Sequence, residues 1–435
     1  MSLPVSVLIP SDSSRAEVAL RSAQAIAHEV AQVVLAGEAL TDADGVEVVP
    51  GPVSDAISRL TGECTVLIEP GATIGAAELG ALCAPIRAGE ADFVVPASQT
   101  GREERALNAL TRGVAGVKVQ NPLAPVRAVR TEAIRSLTLS GGPGLAAELV
   151  IKLAAQAFRF GEIVVGSLRS QRQPADWVVL ARTLLRYALF HNDTDNTHEG
   201  YNTLIQIDQA PRYNAWLGRK LRPHLGQRVL EIGAGIGTIT REIATGRERV
   251  LALEADSFYV QRLRNLFRDS DVVRPIHAPV EQTDWSALAK ERPDTVMLSN
   301  VLEHIEDDAA AVRQFRSVLP VDGRLVILVP ALMSLYGSID EAIGHFRRYT
   351  PETLRNVIES NGFRIESVEW LNLLGIPGWF LNSRLLKRRS VPGLQVRLYD
   401  RIAPILARME SMVKLPVGMS LLAVARAVPV SGAAQ

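Results

Sequence analysis

Short apolar runs alternate with amphipathic stretches along most of the 435-residue chain. In the first half, apolar runs bounded by turn residues predict strands, and apolar positions recurring every three or four residues predict helices. The predicted strands are 4–10, 32–36, 65–69, 92–97 and 162–165, and the predicted helices are 16–30, 53–60, 76–88 and 145–158. This alternation is typical of an α/β fold, with a parallel sheet covered by helices on both faces.

A second alternating unit begins at Tyr201. Its predicted strands are 228–232, 249–253, 272–277, 294–299, 323–330, 364–370 and 420–425, and its predicted helices are 212–221, 238–245, 257–267, 307–319 and 351–361. The polar segment 191–198 separates the two patterns. We therefore predict a first domain at 1–175, a helical connector at 176–200 and a second domain at 201–428.

Composition narrows the class of protein. Lys plus Arg and Asp plus Glu both number 47, so the formal net charge is zero, and we expect no nucleic-acid partner. The two cysteines, Cys64 and Cys83, are too few for a disulfide framework or a zinc site, so no metal is expected. No secretory signal or apolar run of membrane-spanning length is visible, which favours a cytoplasmic protein.

Glycines cluster in the segment Val229-Leu-Glu-Ile-Gly-Ala-Gly-Ile-Gly237, at a predicted strand-to-helix turn. Such a turn lets a ligand approach the main chain closely, although a tight turn without a ligand is the alternative. Glu254 ends the next predicted strand, near the offset at which an acid meets ribose hydroxyls. Glu231 lies inside the motif, where a carboxylate suits a ligand with an ammonium group better than a phosphate.

This half of the chain resembles class I S-adenosylmethionine-dependent methyltransferases. Besides the glycine motif, the resemblance lies in Val301-Leu-Glu-His-Ile305, Gly344-His-Phe-Arg-Arg-Tyr-Thr350, Arg212-Tyr-Asn-Ala-Trp216 and Leu415-Pro-Val-Gly-Met-Ser-Leu421. It implies a Rossmann-like seven-stranded fold with S-adenosyl-L-methionine as cofactor. The implied cofactor-binding residues are Glu231, Gly233, Gly235, Gly237, Glu254, Glu281 and Asn300, with Glu254 at the ribose diol, Asn300 at the methionine end and Glu281 at the adenine amine.

Methyl transfer depends mainly on aligning donor and acceptor, and a hydroxyl acceptor also benefits from a base. The candidate catalytic residues are His304, Asp340 and His345. Tyr213, Arg347, Arg348 and Tyr349 are the candidate substrate-binding residues, because loops at the carboxyl ends of parallel strands carry ligands. A packed histidine and a solvated basic turn are the alternatives for these segments.

An insertion at 372–416 precedes the last predicted strand. Its apolar segment, Gly375-Ile-Pro-Gly-Trp-Phe380, is followed by Arg384, Lys387, Arg388 and Arg389. A lid helix or a contact between two copies of the chain is the preferred interpretation. The alternative is that residues 375–389 lie on a membrane surface or contact a lipid-linked acceptor.

The first half is similar to family-2 glycosyltransferases of GT-A fold, through Val5-Ser-Val-Leu-Ile-Pro10 and Val126-Arg-Ala-Val-Arg130 followed by Ala147-Glu148. That family ends a strand with an Asp-x-Asp that holds a divalent metal. Here Glu69 is the single carboxylate at that place, followed by Pro70 and Gly71. Hard divalent cations need clustered oxygen ligands, so we expect a degenerate, inactive transferase fold.

These observations favour a methyltransferase that O-methylates a sugar, glycan or lipid-linked glycan intermediate. The sugar rests on the neighbouring glycosyltransferase-like half, which is analogy at the level of the fold. The alternatives are methylation of a small molecule or quinone-like ring, a bifunctional glycosyltransferase and methyltransferase, and a scaffold protein without catalytic activity.

Overall fold

The computed structural model describes residues 3–10, 15–37, 45–97, 101–142, 144–165, 172, 174–190, 201–412 and 415–429. The chain divides into two compact units, Met1–Asp195 and Asn196–Gln435. The predicted boundary at 191–198 lies outside the described residues. In the part of the chain that the structure describes, every helix is too short or too polar to cross a membrane.

The described strands of the first unit form one seven-stranded sheet, in the order β3-β2-β1-β4-β6-β5-β7. These strands are β1 (Leu3–Pro10), β2 (Val30–Ala36), β3 (Glu47–Val49), β4 (Cys64–Ile68), β5 (Phe93–Ala97), β6 (Val126–Arg130) and β7 (Phe160–Val164). The helices are α1 (Ala16–Ile26), α2 (Val53–Arg59), α3 (Ala76–Arg87), α4 (Arg102–Ala115), α5 (Thr131–Arg135), α6 (Leu145–Ala155) and α7 (Pro174–Phe190).

The prediction of a wholly parallel sheet in this unit is wrong. Strand β6 pairs antiparallel with both β4 and β5, so the sheet is mixed. The predicted helix at 16–30 is also too long, because α1 ends at Ile26 and Val30 already pairs with Leu3 in the sheet. Cys64 and Cys83 are both buried, and their Sγ atoms lie 2.7 Å from each other.

Helix α7 covers most of the segment that the sequence predicted as a connector. Its buried Leu180 and Leu184 pack against Leu123, Ala146 and Ala147. The apolar face of α7 is therefore satisfied by the first unit, which is why this helix belongs to that unit's structure.

The second unit also contains a seven-stranded sheet, in the order β10-β9-β8-β11-β12-β14-β13. Its strands are β8 (Arg228–Ile232), β9 (Arg249–Glu254), β10 (Val273–His277), β11 (Thr295–Ser299), β12 (Arg324–Pro330), β13 (Phe363–Leu371) and β14 (Ser420–Ala427). Its helices are α8 (Tyr201–Asp208), α9 (Pro211–Leu221), α10 (Thr238–Ala244), α11 (Ser257–Leu266), α12 (Trp285–Lys290), α13 (Asp308–Val318), α14 (Ser338–Ala342), α15 (Pro351–Glu359), α16 (Gly375–Trp379) and α17 (Gly393–Met412).

Strands β8 to β12 are parallel, and β14 inserts antiparallel between β12 and β13. The apolar residues of these strands fill a core on each face of the sheet. Because the parallel strands share one direction, the loops after β8, β9, β11 and β12 meet at one edge, where ligands bind in open α/β sheets. The predicted α/β class, with two domains and a Rossmann-like second sheet, is confirmed.

Candidate active site

The glycine bend, residues 233–237, connects β8 to α10. Gly233, Gly235 and Gly237 have φ angles of 68°, 55° and 84°, in the left-handed region that side chains with a Cβ rarely adopt. A Cβ on Gly233 would lie 2.5 Å from Cγ2 of Val301. The bend therefore requires glycine for its backbone conformation and, at Gly233, for the close approach of the loop after β11.

Glu254, the last residue of β9, is fixed to this bend. Its Oε2 accepts a hydrogen bond from the Gly235 N–H at 2.7 Å, and its Oε1 accepts from the N–H groups of Ala255 and Asp256 at 2.8 and 3.0 Å. Burial raises the pKa of this carboxyl, and the three N–H donors oppose that rise. A carboxylate has about four acceptor positions, so one position, on Oε2, is left to accept a hydrogen bond from a ribose hydroxyl.

Glu231 lies on β8 directly before the bend and is 2% exposed. Its Oε2 has no hydrogen-bond partner among the described residues. Burial raises the pKa of this carboxyl to about 8. A buried carboxylate oxygen without a partner needs an explanation, and a cationic ligand bound at the bend would supply one.

The two remaining predicted cofactor residues, Asn300 and Glu281, are exposed. Asn300 follows β11 and has a φ of 55°, which is uncommon for a residue with a side chain and is enriched at functional sites. Its N–H donates to the Leu328 carbonyl at 2.8 Å, which holds the strand end in place. Glu281 lies in a single turn, Val280–Gln282, after β10. The structure thus places Asn300 at the same sheet edge as the glycine bend.

A second polar group, which we call the Glu–His cluster, consists of Glu303, His304 and His345. The ligand atoms that the three side chains can offer lie within 4.8 Å of one another. The rings of His304 and His345 meet edge to face, with centroids 4.6 Å apart. Oε1 of Glu303 lies 3.7 Å from Nε2 of His345. The cluster joins the loop after β11 to the loop after β12.

Glu303 is fully buried, and neither carboxylate oxygen has a hydrogen-bond partner among the described residues. Burial raises its pKa to about 8. His304 is exposed on one side, yet partial removal from water and the neighbouring His345 lower its pKa to about 4. The sequence analysis did not select Glu303, although an acid directly before His304 at a strand end was a signal for it.

Asp340 lies behind His345 and is fully buried. Its Oδ1 accepts from His345 Nδ1 at 2.9 Å and from Arg348 Nε at 2.7 Å, and its Oδ2 accepts from the Gly337 N–H at 3.1 Å. Burial opposes ionisation, but His345 and Arg348 outweigh it and lower the pKa of Asp340. An ionised Asp340 fixes the proton of His345 on Nδ1, so Nε2 offers its lone pair toward Glu303.

The predicted substrate residues Arg348 and Tyr349 point inward. Arg348 pairs with Asp340 and its guanidinium lies 4.7 Å from the ring centroid of Trp379. The hydroxyl of Tyr349, which is 1% exposed, donates to Asp308 Oδ2 at 2.8 Å. Both side chains therefore hold the loop in shape, and neither offers its polar group to a ligand in this conformation.

Arg347 and Tyr213, the other predicted substrate residues, differ in their surroundings. Arg347 is partly exposed and pairs with Asp308 at 2.8 Å. Tyr213, on α9, packs against Trp216 and Tyr399, and its hydroxyl accepts from Asn372 Nδ2 at 3.3 Å. Tyr213 therefore ties α9 to the start of the insertion, while Arg347 remains near the surface beside the Glu–His cluster.

In the first unit, Glu69 directly follows β4. It pairs with Arg127 at 2.6 Å and with Arg172 at 2.7 Å. Burial would raise the pKa of Glu69, but the two guanidinium groups outweigh burial and lower it. These residues also line a cavity together with Pro10, Arg15 and Leu145. A divalent metal site would need further carboxylates next to Glu69. The side chains that lie there are arginines instead.

Comparisons with known proteins agree with this geometry. Residues 180–368 match the profile of a family described as a methyltransferase domain. A Treponema pallidum ribosomal RNA small subunit methyltransferase A is 39% identical over 98 residues, 22% of this chain and 32% of that protein. A demethylmenaquinone methyltransferase of Clavibacter sepedonicus is 22% identical over 136 residues, 31% of this chain and 54% of that protein.

Two solved structures each cover about half of the chain. An S-adenosylmethionine dependent methyltransferase of Mesorhizobium loti is 19% identical with a TM-score of 0.33, covering 48% of this chain and 95% of its own. A glucosyl-3-phosphoglycerate synthase of Mycobacterium tuberculosis is 20% identical with a TM-score of 0.36, covering 45% and 80%. The profile match, together with the sheet order and the glycine bend, identifies a methyltransferase domain in this chain, of the class that takes its methyl group from S-adenosylmethionine.

Proposed function

We propose that this protein transfers the methyl group of S-adenosylmethionine to a hydroxyl oxygen of a sugar, a glycan or a lipid-linked glycan intermediate. One observation carries the proposal: the left-handed glycines of the bend lie between Glu254, bonded to the Gly235 N–H, and the buried, incompletely paired Glu231. The bend and two carboxylates match a ligand with a ribose diol and an ammonium group.

The cofactor supplies an electrophilic methyl group on its sulfonium. The protein's own part is to hold the ribose at Glu254, to neutralise the ammonium at Glu231 and to align the acceptor. A hydroxyl acceptor must also lose its proton. Of the predicted bases, His304 is exposed and its ring packs on that of His345, whereas Asp340 is committed to His345 and Arg348.

For the first unit, we propose a glycosyltransferase-like fold that does not turn over a nucleotide sugar. The support is the pairing of Glu69 with Arg127 and Arg172, since these cations occupy the side of the carboxylate that a divalent metal would need. This arrangement argues against the bifunctional alternative. The cavity beside Glu69 could instead bind the acceptor or a partner.

The insertion supports a lipid-linked acceptor. Helix α17 exposes a row of large apolar residues, the apolar stripe: Leu394, Leu398, Ile402, Ile405, Met409 and Met412. The preceding segment exposes Phe380, Leu381, Leu385 and Leu386, and basic residues adjoin both. Apolar side chains flanked by arginine and lysine are typical of surfaces that bind anionic membranes. We therefore favour membrane contact over the lid or dimer interpretation.

Two other acceptors follow from the relatives. The demethylmenaquinone methyltransferase favours the quinone-like ring as a second candidate, since its match covers 136 residues. The relative named for ribosomal RNA matches over only 98 residues. A chain with a formal net charge of zero also lacks the basic excess that binds nucleic acid.

Calorimetric titration with S-adenosylmethionine tests the proposed activity. Glu254→Ala removes the ribose acceptor, and Gly235→Val places a β-branched residue at positive φ, so each should weaken binding about 10- to 100-fold in a folded protein. Glu248→Gln, at an exposed acid of the same unit, is the matched control and should bind normally. Wild-type affinity in both site variants would remove the proposed cofactor site. Mass spectrometry of glycans and lipids from cells with and without the gene then identifies the methylated acceptor.

A further inference from the structure

The Glu–His cluster has the composition of a metal site, although the domain's cofactor needs no metal. Its three side chains are a carboxylate and two imidazoles, a donor set that binds zinc and other divalent transition-metal ions. The candidate ligand atoms lie within 4.8 Å of one another. Two atoms that are 3.7 Å apart, as Glu303 Oε1 and His345 Nε2 are, subtend an angle of about 120° at an ion about 2.1 Å from each.

Two independent observations point to a ligand here. Glu303 is 0% exposed, and neither of its oxygens has a hydrogen-bond partner among the described residues, so a ligand is needed to satisfy this carboxylate. The second is the orientation of His345. Its Nδ1 bonds to Asp340 at 2.9 Å, which leaves Nε2 directed at Glu303. A carboxylate behind a histidine is the usual support for a metal-binding imidazole.

The cluster also lies where a metal could reach the acceptor. Glu303 and His304 follow Val301, whose side chain packs directly on Gly233 of the glycine bend. His304 is exposed on one side of the cluster. An ion bound there would be closed by protein on the Glu303 side and open toward solvent, as catalytic metal sites are.

We propose that Glu303, His304 and His345 bind a divalent transition-metal ion that coordinates the acceptor hydroxyl next to the cofactor. This inference rests on the proposed function. The coordinated hydroxyl loses its proton to solvent, its oxygen forms a bond to the methyl carbon, and the carbon–sulfur bond breaks to release S-adenosylhomocysteine. The metal lowers the pKa of the bound hydroxyl, so no side chain has to act as base. An acceptor with neighbouring hydroxyl groups, such as a sugar, can chelate the ion.

Titration of chelator-treated full-length protein with Co²⁺, followed by its visible absorption, and with Zn²⁺, followed by calorimetry, tests this site. One ion should bind per chain without S-adenosylmethionine. Glu303→Gln and His345→Gln, which alter the ligands, should each weaken binding at least about tenfold. Asp340→Asn, which keeps the three ligands but weakens the support of His345 and the pairing with Arg348, should weaken it about 10- to 100-fold. His224→Gln, a histidine of the same unit away from the cluster, should bind metal as the wild type does.

The outcomes separate this site from the proposed activity. Glu303→Gln keeps the shape of the side chain, so a folded variant is expected, and circular dichroism checks this. The metal site is overturned if folded wild-type protein binds neither Co²⁺ nor Zn²⁺. It is also overturned if Glu303→Gln and His345→Gln both bind metal with wild-type affinity. If S-adenosylmethionine still binds, the proposed activity survives that result. Metal binding without S-adenosylmethionine binding would overturn the activity instead.

Discussion

Single buried carboxyl groups carry much of the chemistry of the second unit. Glu231 is buried in a strand and one of its oxygens has no partner among the described residues. Burying an unpaired charge costs several kcal/mol, so the ligand-free protein keeps this carboxyl protonated to a higher pH than usual. The protonation state of Glu231 is therefore linked to whatever cation binds at the glycine bend.

This linkage predicts proton release on cofactor binding. The pKa of Glu231 is raised to about 8 in the ligand-free protein, so at pH 7 the group holds a proton that an incoming ammonium displaces. Binding should therefore weaken as the pH falls below 8, by up to about tenfold per pH unit. Calorimetry between pH 6 and 7, in buffers of different ionisation enthalpy, measures the protons released.

Glu231→Gln is the matched variant for this experiment, because it keeps the shape of the side chain and cannot titrate. It should bind S-adenosylmethionine more weakly at pH 7, and the pH dependence between 6 and 7 should disappear. A wild-type release of protons in Glu231→Gln would show that another group is responsible.

Among the elements, α8 has a specific relation to the glycine bend. Leu204 of α8 lies over Gly235, where a Cβ would be 3.6 Å from Leu204 Cδ1. At the end of α8, Asp208 accepts a hydrogen bond from Thr238 Oγ1 at 2.8 Å and pairs with Arg241, both on α10. Helix α8 is therefore attached to α10, the helix that follows the glycine bend, and it covers the bend from one side.

Releasing α8 should shorten the lifetime of the bound cofactor. Asp208→Ala removes a hydrogen bond and a partly exposed ion pair, together worth about 1–2 kcal/mol. The dissociation rate of S-adenosylmethionine in stopped-flow experiments should rise about 3- to 30-fold, with a smaller change in association rate. Asp271→Asn, at an exposed acid of the turn before β10, should leave both rates unchanged. An unchanged dissociation rate in Asp208→Ala would show that α8 does not retain the cofactor.

The elements that the sequence predicts well are those with an uninterrupted apolar pattern. Strand β8 has the predicted bounds, and β9 and β11 differ from prediction by a single residue, since each is a short apolar run. Strand β6 was not predicted, because Arg127 and Arg130 break its apolar pattern. Arg127 is buried all the same, through its pairing with Glu69. Burial of that charge depends on a residue 58 positions away, and no local pattern contains it.

In the candidate site too, features set by neighbouring residues in the sequence are predictable, and features that depend on distant residues are not. The glycine bend is continuous in sequence, so its conformation follows from local residues. The Glu–His cluster instead joins two loops about forty residues apart, and Glu303 could be recognised as unpaired only once its surroundings were known. The exposed row of apolar residues on α17 depends likewise on which face of that helix packs against α9.

At the scale of the whole molecule, the insertion at 372–416 adds an extended exposed surface to the second unit. Asp400 accepts from the N–H groups of Arg212 and Tyr213, and Glu410 accepts from those of Asn372 and Leu373, so α17 is fixed on one face. The apolar stripe lies on the other face, at spacings of three and four residues. A fixed helix with an uncovered apolar face has a preformed binding surface.

We expect this surface to bind vesicles of phosphatidylglycerol and, more weakly, vesicles of phosphatidylcholine. Leu398 and Ile405 are 51% and 63% exposed, so charged residues there should not disturb the fold. Removing two apolar side chains, each worth up to about 2 kcal/mol on burial, should weaken partitioning up to about 1000-fold in Leu398→Glu/Ile405→Glu.

Val321→Glu, at an exposed apolar residue of a turn, is the control and should sediment with vesicles as the wild type does. Salt should weaken the wild-type interaction, because part of the attraction is electrostatic. Failure of the wild type to bind either vesicle would overturn the membrane contact. Dimerisation that the double substitution abolishes would assign the apolar stripe to contact between copies of the chain. The lipid-linked acceptor would then lose its structural support, while the cofactor site would be unaffected.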